Sequence, residues 1–302
     1  MPRVSLTERA IAARVQREAA HRRRHLRTVT QREGVVCTVD GRALLNFCSN
    51  DYLGLSQAPE LRQAVHAAVD RYGVGAGASP MVSGHSAANA ALELELAEAV
   101  QLPRALYFYA GYATNIGIVP ALVGEGDALF SDALNHACLI DGARLAGSEL
   151  KRYPHLDVEA ALRQLMSRRD GAAMLATDGV FSMDGDQAPL ADLALVARAQ
   201  DALLYVDDAH GIGVLGPEGR GSLAVAGLGA REVPLLLVPL GKAFGGQGAV
   251  LLGSEALVGH VAETARPYLF STAPGPAQAP AMRARRRQNP TQTWRRAKLG
   301  SV

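Results

Sequence analysis

The sequence predicts an α/β fold built on a mostly parallel sheet between helices. Short apolar runs at 105–109, 128–131, 172–177, 203–206, 235–238 and 249–252 alternate with stretches of helical spacing. Several of these runs are apolar at successive positions, as strands covered by helices on both faces must be. The chain is 302 residues long, 48% hydrophobic and 20% charged, enough to bury the core that such a fold needs.

Taken in order, residues 5–27 read as a basic, solvated amphipathic helix. A mitochondrial transit peptide is the competing reading, and Glu8 and Glu18 count against it. Runs at 35–39 and 44–47 flank Asp40-Gly41, a good hairpin turn. Residues 60–72 carry Leu61, Val65 and Val69 on one helical face before Gly73, Gly75 and Gly77 break the pattern. Residues 87–100 form a further helix with Leu92, Leu96 and Val100 on one side. No internal repeat is present. The expected organisation is an N-terminal helix and hairpin (1–45), one large domain (46–282) and a basic end without regular structure (283–302).

The net charge of +2 gives the whole chain no nucleic-acid-binding character. It hides an asymmetry, since 264–302 holds eight basic residues and no acid, which leaves −6 for the rest. The three cysteines, Cys37, Cys48 and Cys138, form no CxxC pair and argue against a disulfide framework or a zinc site. No apolar run has the length of a membrane span, and the N-terminus lacks the apolar core of a secretory signal. A cytoplasmic protein is expected.

Four segments could carry chemistry. Leu203 to Gly211 is an apolar strand running into Asp207, Asp208 and His210. Ligands of open α/β sheets sit beyond the carboxyl ends of strands, so a carboxylate there is poised to meet one. A helix-capping aspartate and an incidental histidine are the equal alternative. In Pro239 to Gly246, Lys242 lies among glycines just after a strand, and no GxxxxGK[ST] pattern is present. An amine that forms a covalent imine needs close backbone approach and shelter from water, and flanking glycines permit both. A surface lysine is the ordinary reading. Gly111 and Tyr112 open a helical stretch after a strand, where free N–H groups and the helix dipole suit a phosphate. His136, near a strand end, is by itself more often structural than functional.

Together these segments are far more specific. Asn46-Phe-Cys-Ser-Asn-Asp-Tyr-Leu-Gly-Leu55, Phe181-Ser-Met-Asp-Gly-Asp186, Val206-Asp-Asp-Ala-His-Gly211 and Phe270-Ser-Thr272 occur in this order. In this combination the chain resembles the α-oxoamine synthases, pyridoxal-phosphate (PLP) enzymes of the aspartate aminotransferase-like type I fold. The resemblance implies that Lys242 holds PLP through its amine and that Asp207 pairs with the pyridine nitrogen. It places His136 on the ring face, His210 and Ser182 near the ring hydroxyl, and the Gly111 and Tyr112 backbone at the phosphate. Asn50 falls close to substrate. The family is dimeric, and Ser271 and Thr272 match the segment that reaches the neighbouring subunit's phosphate. Val82-Ser-Gly-His-Ser86 is most like the branch that condenses L-alanine with a pimeloyl thioester, carried on coenzyme A or acyl carrier protein, in biotin biosynthesis. A sister synthase using glycine or serine is the alternative. Membrane and nucleic-acid partners are not expected.

Three departures from the family pattern stand out. Pro239 replaces a Thr or Ser that would contact the phosphate, and Asn89 stands where a histidine is common. From 283 the sequence reads as unrelated to the family's C-terminal small domain, which carries an arginine for the substrate carboxylate. A rearranged gene end, leaving a remnant with little activity, is the preferred expectation, and a nucleic-acid-binding tail the competing one.

Overall fold

The computed structural model describes residues 3–168, 170–288 and 292–301; residues 1–2, 169, 289–291 and 302 lie outside this set. The chain forms two units, residues 1–49 and 50–302. In the first, α1 (Leu6–Ala19) starts where the Ser5 hydroxyl accepts from the Glu8 amide. β1 (Val29–Glu33), β2 (Val36–Val39) and β3 (Arg42–Leu45) then form an antiparallel sheet. Its β2–β3 turn has positive φ at both Asp40 (51°) and Gly41 (76°), the geometry that the Asp-Gly pair favours. The helix is shorter than the expected 5–27, and β1 is an addition. All five of its residues are exposed, so no apolar pattern marks it.

The second unit opens with α2 (Pro59–Tyr72) and α3 (Ala87–Val100). A strand–helix alternation follows, comprising β4 (Arg104–Phe108), α4 (Gly111–Leu122), β5 (Ala128–Asp132), α5 (Ala137–Ala146), β6 (Glu149–Tyr153) and α6 (Val158–Met166). It continues through β7 (Ala173–Asp178), α7 (Leu190–Ala199), β8 (Leu203–Asp207), α8 (Ser222–Ala226), β9 (Leu235–Pro239) and β10 (Ala249–Gly253). α9 (Glu255–Thr264), α10 (Arg266–Leu269), α11 (Gln278–Gln288) and α12 (Thr293–Gly300) complete it.

The seven strands order as β4-β10-β9-β8-β7-β5-β6. Neighbours from β9 to β6 run parallel, and β10 is antiparallel to both of its neighbours. Two apolar clusters sandwich the sheet. Leu175, Val206 and Leu236 point into one with Leu92 and Phe244, while Met174, Tyr205 and Leu237 point into the other with Ile118 and Leu139. All six expected strands occur, and the fold is the expected α/β one. β6 was not legible because this edge strand, Glu-Leu-Lys-Arg-Tyr, buries only its last side chain.

The basic end differs from the expectation of no regular structure. α11 packs on α2 and α3, with Ala279, Ala281 and Met282 in the core. Two of its arginines, Arg283 and Arg285, are held by protein groups. Arg283 bonds Glu95 through Nε (2.9 Å) and Nη2 (2.6 Å), and Arg285 is 2% exposed with its guanidinium over the Phe244 ring. From α12, Arg295 donates through Nη1 to the Leu53 carbonyl at 2.7 Å. Charge density in the sequence hid a helical face whose arginines have specific partners.

Candidate active site

Parallel strands deliver three side chains to one end of the sheet. Asp178 ends β7 and Asp207 ends β8, and the two are directly paired in register. Pro239 ends β9. The chain then turns back tightly through Lys242, with the Gly245 amide donating to the Lys242 carbonyl and the Leu240 amide to the Gly248 carbonyl. Gly245 has φ +70°, and a Cβ there would lie 2.6 Å from the Ser56 nitrogen, so only glycine allows the approach.

A cavity of about 400 Å³ opens here, and its walls include Asn50, Gly111, Tyr112, His136, Asp207, His210 and Lys242. Seven of the ten expected site residues are thus brought together. Ser182 is exposed, lies on the 181–185 turn and does not line the cavity. Ser271 and Thr272 also lie outside its walls.

His210 bridges two groups. Its Nε2 lies 2.7 Å from the Lys242 Nζ, and its Nδ1 lies 2.6 Å from the Tyr52 hydroxyl. With Tyr52 donating onward to Asn50 Oδ1 (3.3 Å), His210 donates through Nδ1 and accepts from the lysine amine. Burial, with the Lys242 charge nearby, pushes the His210 imidazole down to about 4, so the ring is neutral. Burial also lowers the Lys242 pKa, against the opposing pull of Asp207 and Asp178, and makes the amine easier to deprotonate. The two carboxylates shift the other way, chiefly because burial penalises their charge. Like-charge repulsion between strand neighbours adds to the rise of Asp178. Asp207 is held by Asn115 Nδ2 (2.8 Å) and the Ala209 amide (3.2 Å).

Asp208 plays another part. It accepts from the Ser222 amide (2.9 Å) and hydroxyl (2.5 Å), under Gly179, Gly211 and Gly221, where any Cβ would collide with this pair. It pins the loop after β8 and does not line this cavity.

The chain matches the family of class I and II aminotransferases over residues 42–301. The chain belongs to that family. Within it, the chain is one of the PLP-dependent α-oxoamine synthases. It is 56% identical over 300 residues to the 8-amino-7-oxononanoate synthase of Xanthomonas axonopodis pv. citri, covering 99% of this chain and 75% of the relative. The enzyme of that name from Stenotrophomonas maltophilia is also 56% identical, with 99% and 74% covered. Among solved structures, Sphingomonas wittichii serine palmitoyltransferase superposes with a TM-score of 0.88 at 27% identity, over 95% of this chain and 73% of that one. The Francisella tularensis 8-amino-7-oxononanoate synthase gives 0.73 at 33% identity, over 83% and 71%. The match to the Xanthomonas relative spans nearly the whole chain and so runs past Met282, where the sequence alone read the similarity as ending.

The cavity fits the cofactor of the α-oxoamine synthases. Two buried carboxylates face one lysine, and Asp178 Oδ1 is buried without a hydrogen-bond partner. Such a wall is short of positive charge and suits a protonated ring nitrogen. The N-terminus of α4 opens into the same space at Gly111, offering first-turn N–H groups to an anion. Pro239 offers neither N–H nor hydroxyl and sits against Gly111, where an added Cβ would lie 3.4 Å from its Cγ. Sequence reasoning missed Asp178, Asn115, Cys138 and Tyr52. For Asp178 a signal existed: like Asp207, it is an acid ending an apolar strand, Met-Leu-Ala-Thr-Asp.

Proposed function

We propose that this protein condenses L-alanine with a pimeloyl thioester to give 8-amino-7-oxononanoate, carbon dioxide and the free thiol, a step of biotin biosynthesis. The observation that carries this reading is the convergence of Lys242, Asp207, His136 and His210 on one cavity in a chain 56% identical to synthases of that name. In the reaction a bond forms between the alanine Cα and the thioester carbonyl carbon. The C–S bond and the Cα–carboxylate bond break.

When bound, PLP supplies an electron-withdrawing ring that stabilises negative charge on the amino-acid Cα. The side chains do the rest. Asp207, buried at the strand end, holds a proton on the ring nitrogen by its charge. Lys242, whose amine burial makes easier to deprotonate, binds the cofactor and takes the proton from Cα. His210 holds the lysine amine in place from one side. His136 would cover the ring face, the Gly111 and Tyr112 amides would hold the phosphate, and Asn50 would lie at the substrate end. Ser182 would pair with the ring hydroxyl. Ser271 and Thr272 reach the phosphate of a second subunit in a cytoplasmic homodimer. None of the described helices is long and apolar enough to cross a membrane.

A steady-state assay with L-alanine and pimeloyl-coenzyme A or pimeloyl-acyl carrier protein tests the reading. It predicts alanine-dependent thiol release and formation of the oxononanoate. The serine palmitoyltransferase structures, with TM-scores up to 0.91, favour a second reading, a serine-using synthase. Turnover with serine and palmitoyl-coenzyme A in place of alanine and the pimeloyl thioester would establish that one instead.

A further inference from the structure

Four side chains, three of them in the cavity wall, form a buried hydrogen-bonded chain. Asn115, on α4, is 1% exposed. Its Nδ2 donates to Asp207 Oδ2 at 2.8 Å and to Cys138 Sγ at 3.0 Å. Its Oδ1 accepts from the Tyr205 hydroxyl at 2.5 Å. The orientation of the amide follows from chemistry, since a carboxylate only accepts and Nδ2 must therefore face Asp207. Both amide protons are used, so the side chain has one arrangement.

The chain continues to His136. Cys138 Sγ lies 2.8 Å from His136 Nδ1, and the Cys138 backbone amide donates to the same nitrogen at 3.3 Å. Burial, with Asp207 nearby, pushes the Cys138 thiol up to about 12, so it keeps its proton. Two donors thus converge on Nδ1, which acts as acceptor, and the imidazole carries its proton on Nε2. The ring is fixed in orientation and in tautomer.

We propose that Asn115 is a positioning residue that ties the Asp207 carboxylate to the His136 ring through the Cys138 thiol. It orients the two groups assigned to opposite tasks, one at the ring nitrogen and one on the ring face. The Asn115 amide also favours the charged form of Asp207 against the burial that disfavours it. The proposal rests on the reading of the cavity as a PLP site.

The test measures two properties apart from turnover, the dissociation constant of PLP and the pH midpoint of the visible absorption band of the bound cofactor. The proteins are the wild type, Asn115→Leu, Cys138→Ala and Cys138→Ser. Asn115→Leu is expected to weaken PLP at least tenfold and to shift the midpoint. Cys138→Ala is expected to shift the midpoint less, and Cys138→Ser to restore the wild-type value, because a hydroxyl can donate to Nδ1 in the thiol's place. Wild-type affinity and midpoint in Asn115→Leu would overturn the proposal. If Asn115→Leu does not fold, the cysteine pair decides: equal midpoints in Cys138→Ala and Cys138→Ser overturn it, and a shift in alanine alone supports it. A wild-type protein that binds no PLP would instead overturn the reading of the cavity.

Discussion

Gly246 and Met282 offer a direct test of how the basic end joins the lysine loop. A Cβ added at Gly246 would lie 2.1 Å from Met282 Cε and 2.2 Å from Sδ, far inside contact distance. Gly246 does not have positive φ, so Gly246→Ala avoids left-handed backbone strain and reports chiefly the collision. Met282 is 1% exposed, and its flexible end must move aside. Overpacking of this kind costs about 1–3 kcal/mol. Met282→Ala alone leaves a cavity and costs about 2–5 kcal/mol. In the double variant the collision is gone and the new methyl fills part of the space. The double variant is therefore no less stable than Met282→Ala, with a coupling of about 1–3 kcal/mol. Urea unfolding of the four proteins at one concentration measures this, and thermal midpoints differ by roughly 2–4 °C per kcal/mol. Additivity within about 0.5 kcal/mol would refute the packing of α11 against the loop that carries Lys242.

Two further predictions concern charge. Asp207→Asn keeps PLP bound but slows exchange of the alanine Cα proton, since a unit charge pair about 4 Å apart at an effective dielectric near 20 is worth about 4 kcal/mol, roughly a thousandfold in rate; exchange at the wild-type rate, measured by deuterium incorporation, would remove Asp207 from its role. His155 sits between Asp132 (2.9 Å to Nδ1) and Asp186 (2.5 Å to Nε2); burial opposes its charge, but the two carboxylates outweigh it and raise its pKa above 6.5. Its contribution to stability is therefore complete below about pH 6.5 and is lost as pH rises through the higher folded value. His155→Gln should flatten that part of the stability–pH curve, and an unchanged curve in the variant would show that the pair of ion contacts does not act.

The sequence made the sheet legible because six of its seven strands are apolar runs, while β6, polar and at the edge, carries no such pattern. Asp207, His210 and Lys242 were legible for a related reason: polar groups directly after buried strands stand out against them. Asp178 follows the same rule and was passed over, because its partner in register lies 29 positions away and only pairing of β7 with β8 brings the two acids together. Asn115 and Cys138 were invisible as functional groups. Their spacing on α4 and α5 says nothing of Asp207, and only the packing of those helices joins them to it. Arginine content misled at the end of the chain, where Arg283 and Arg285 are held by Glu95 and the Phe244 ring rather than by water.

The central claim is that Lys242 binds the cofactor at the carboxyl ends of β7, β8 and β9. Borohydride reduction of the protein with PLP, followed by proteolysis and mass mapping, tests it most directly. A single labelled peptide is expected, modified at Lys242, with the label lost in Lys242→Ala. Label recovered on Lys151 or Lys298, or unchanged labelling of Lys242→Ala, would contradict it.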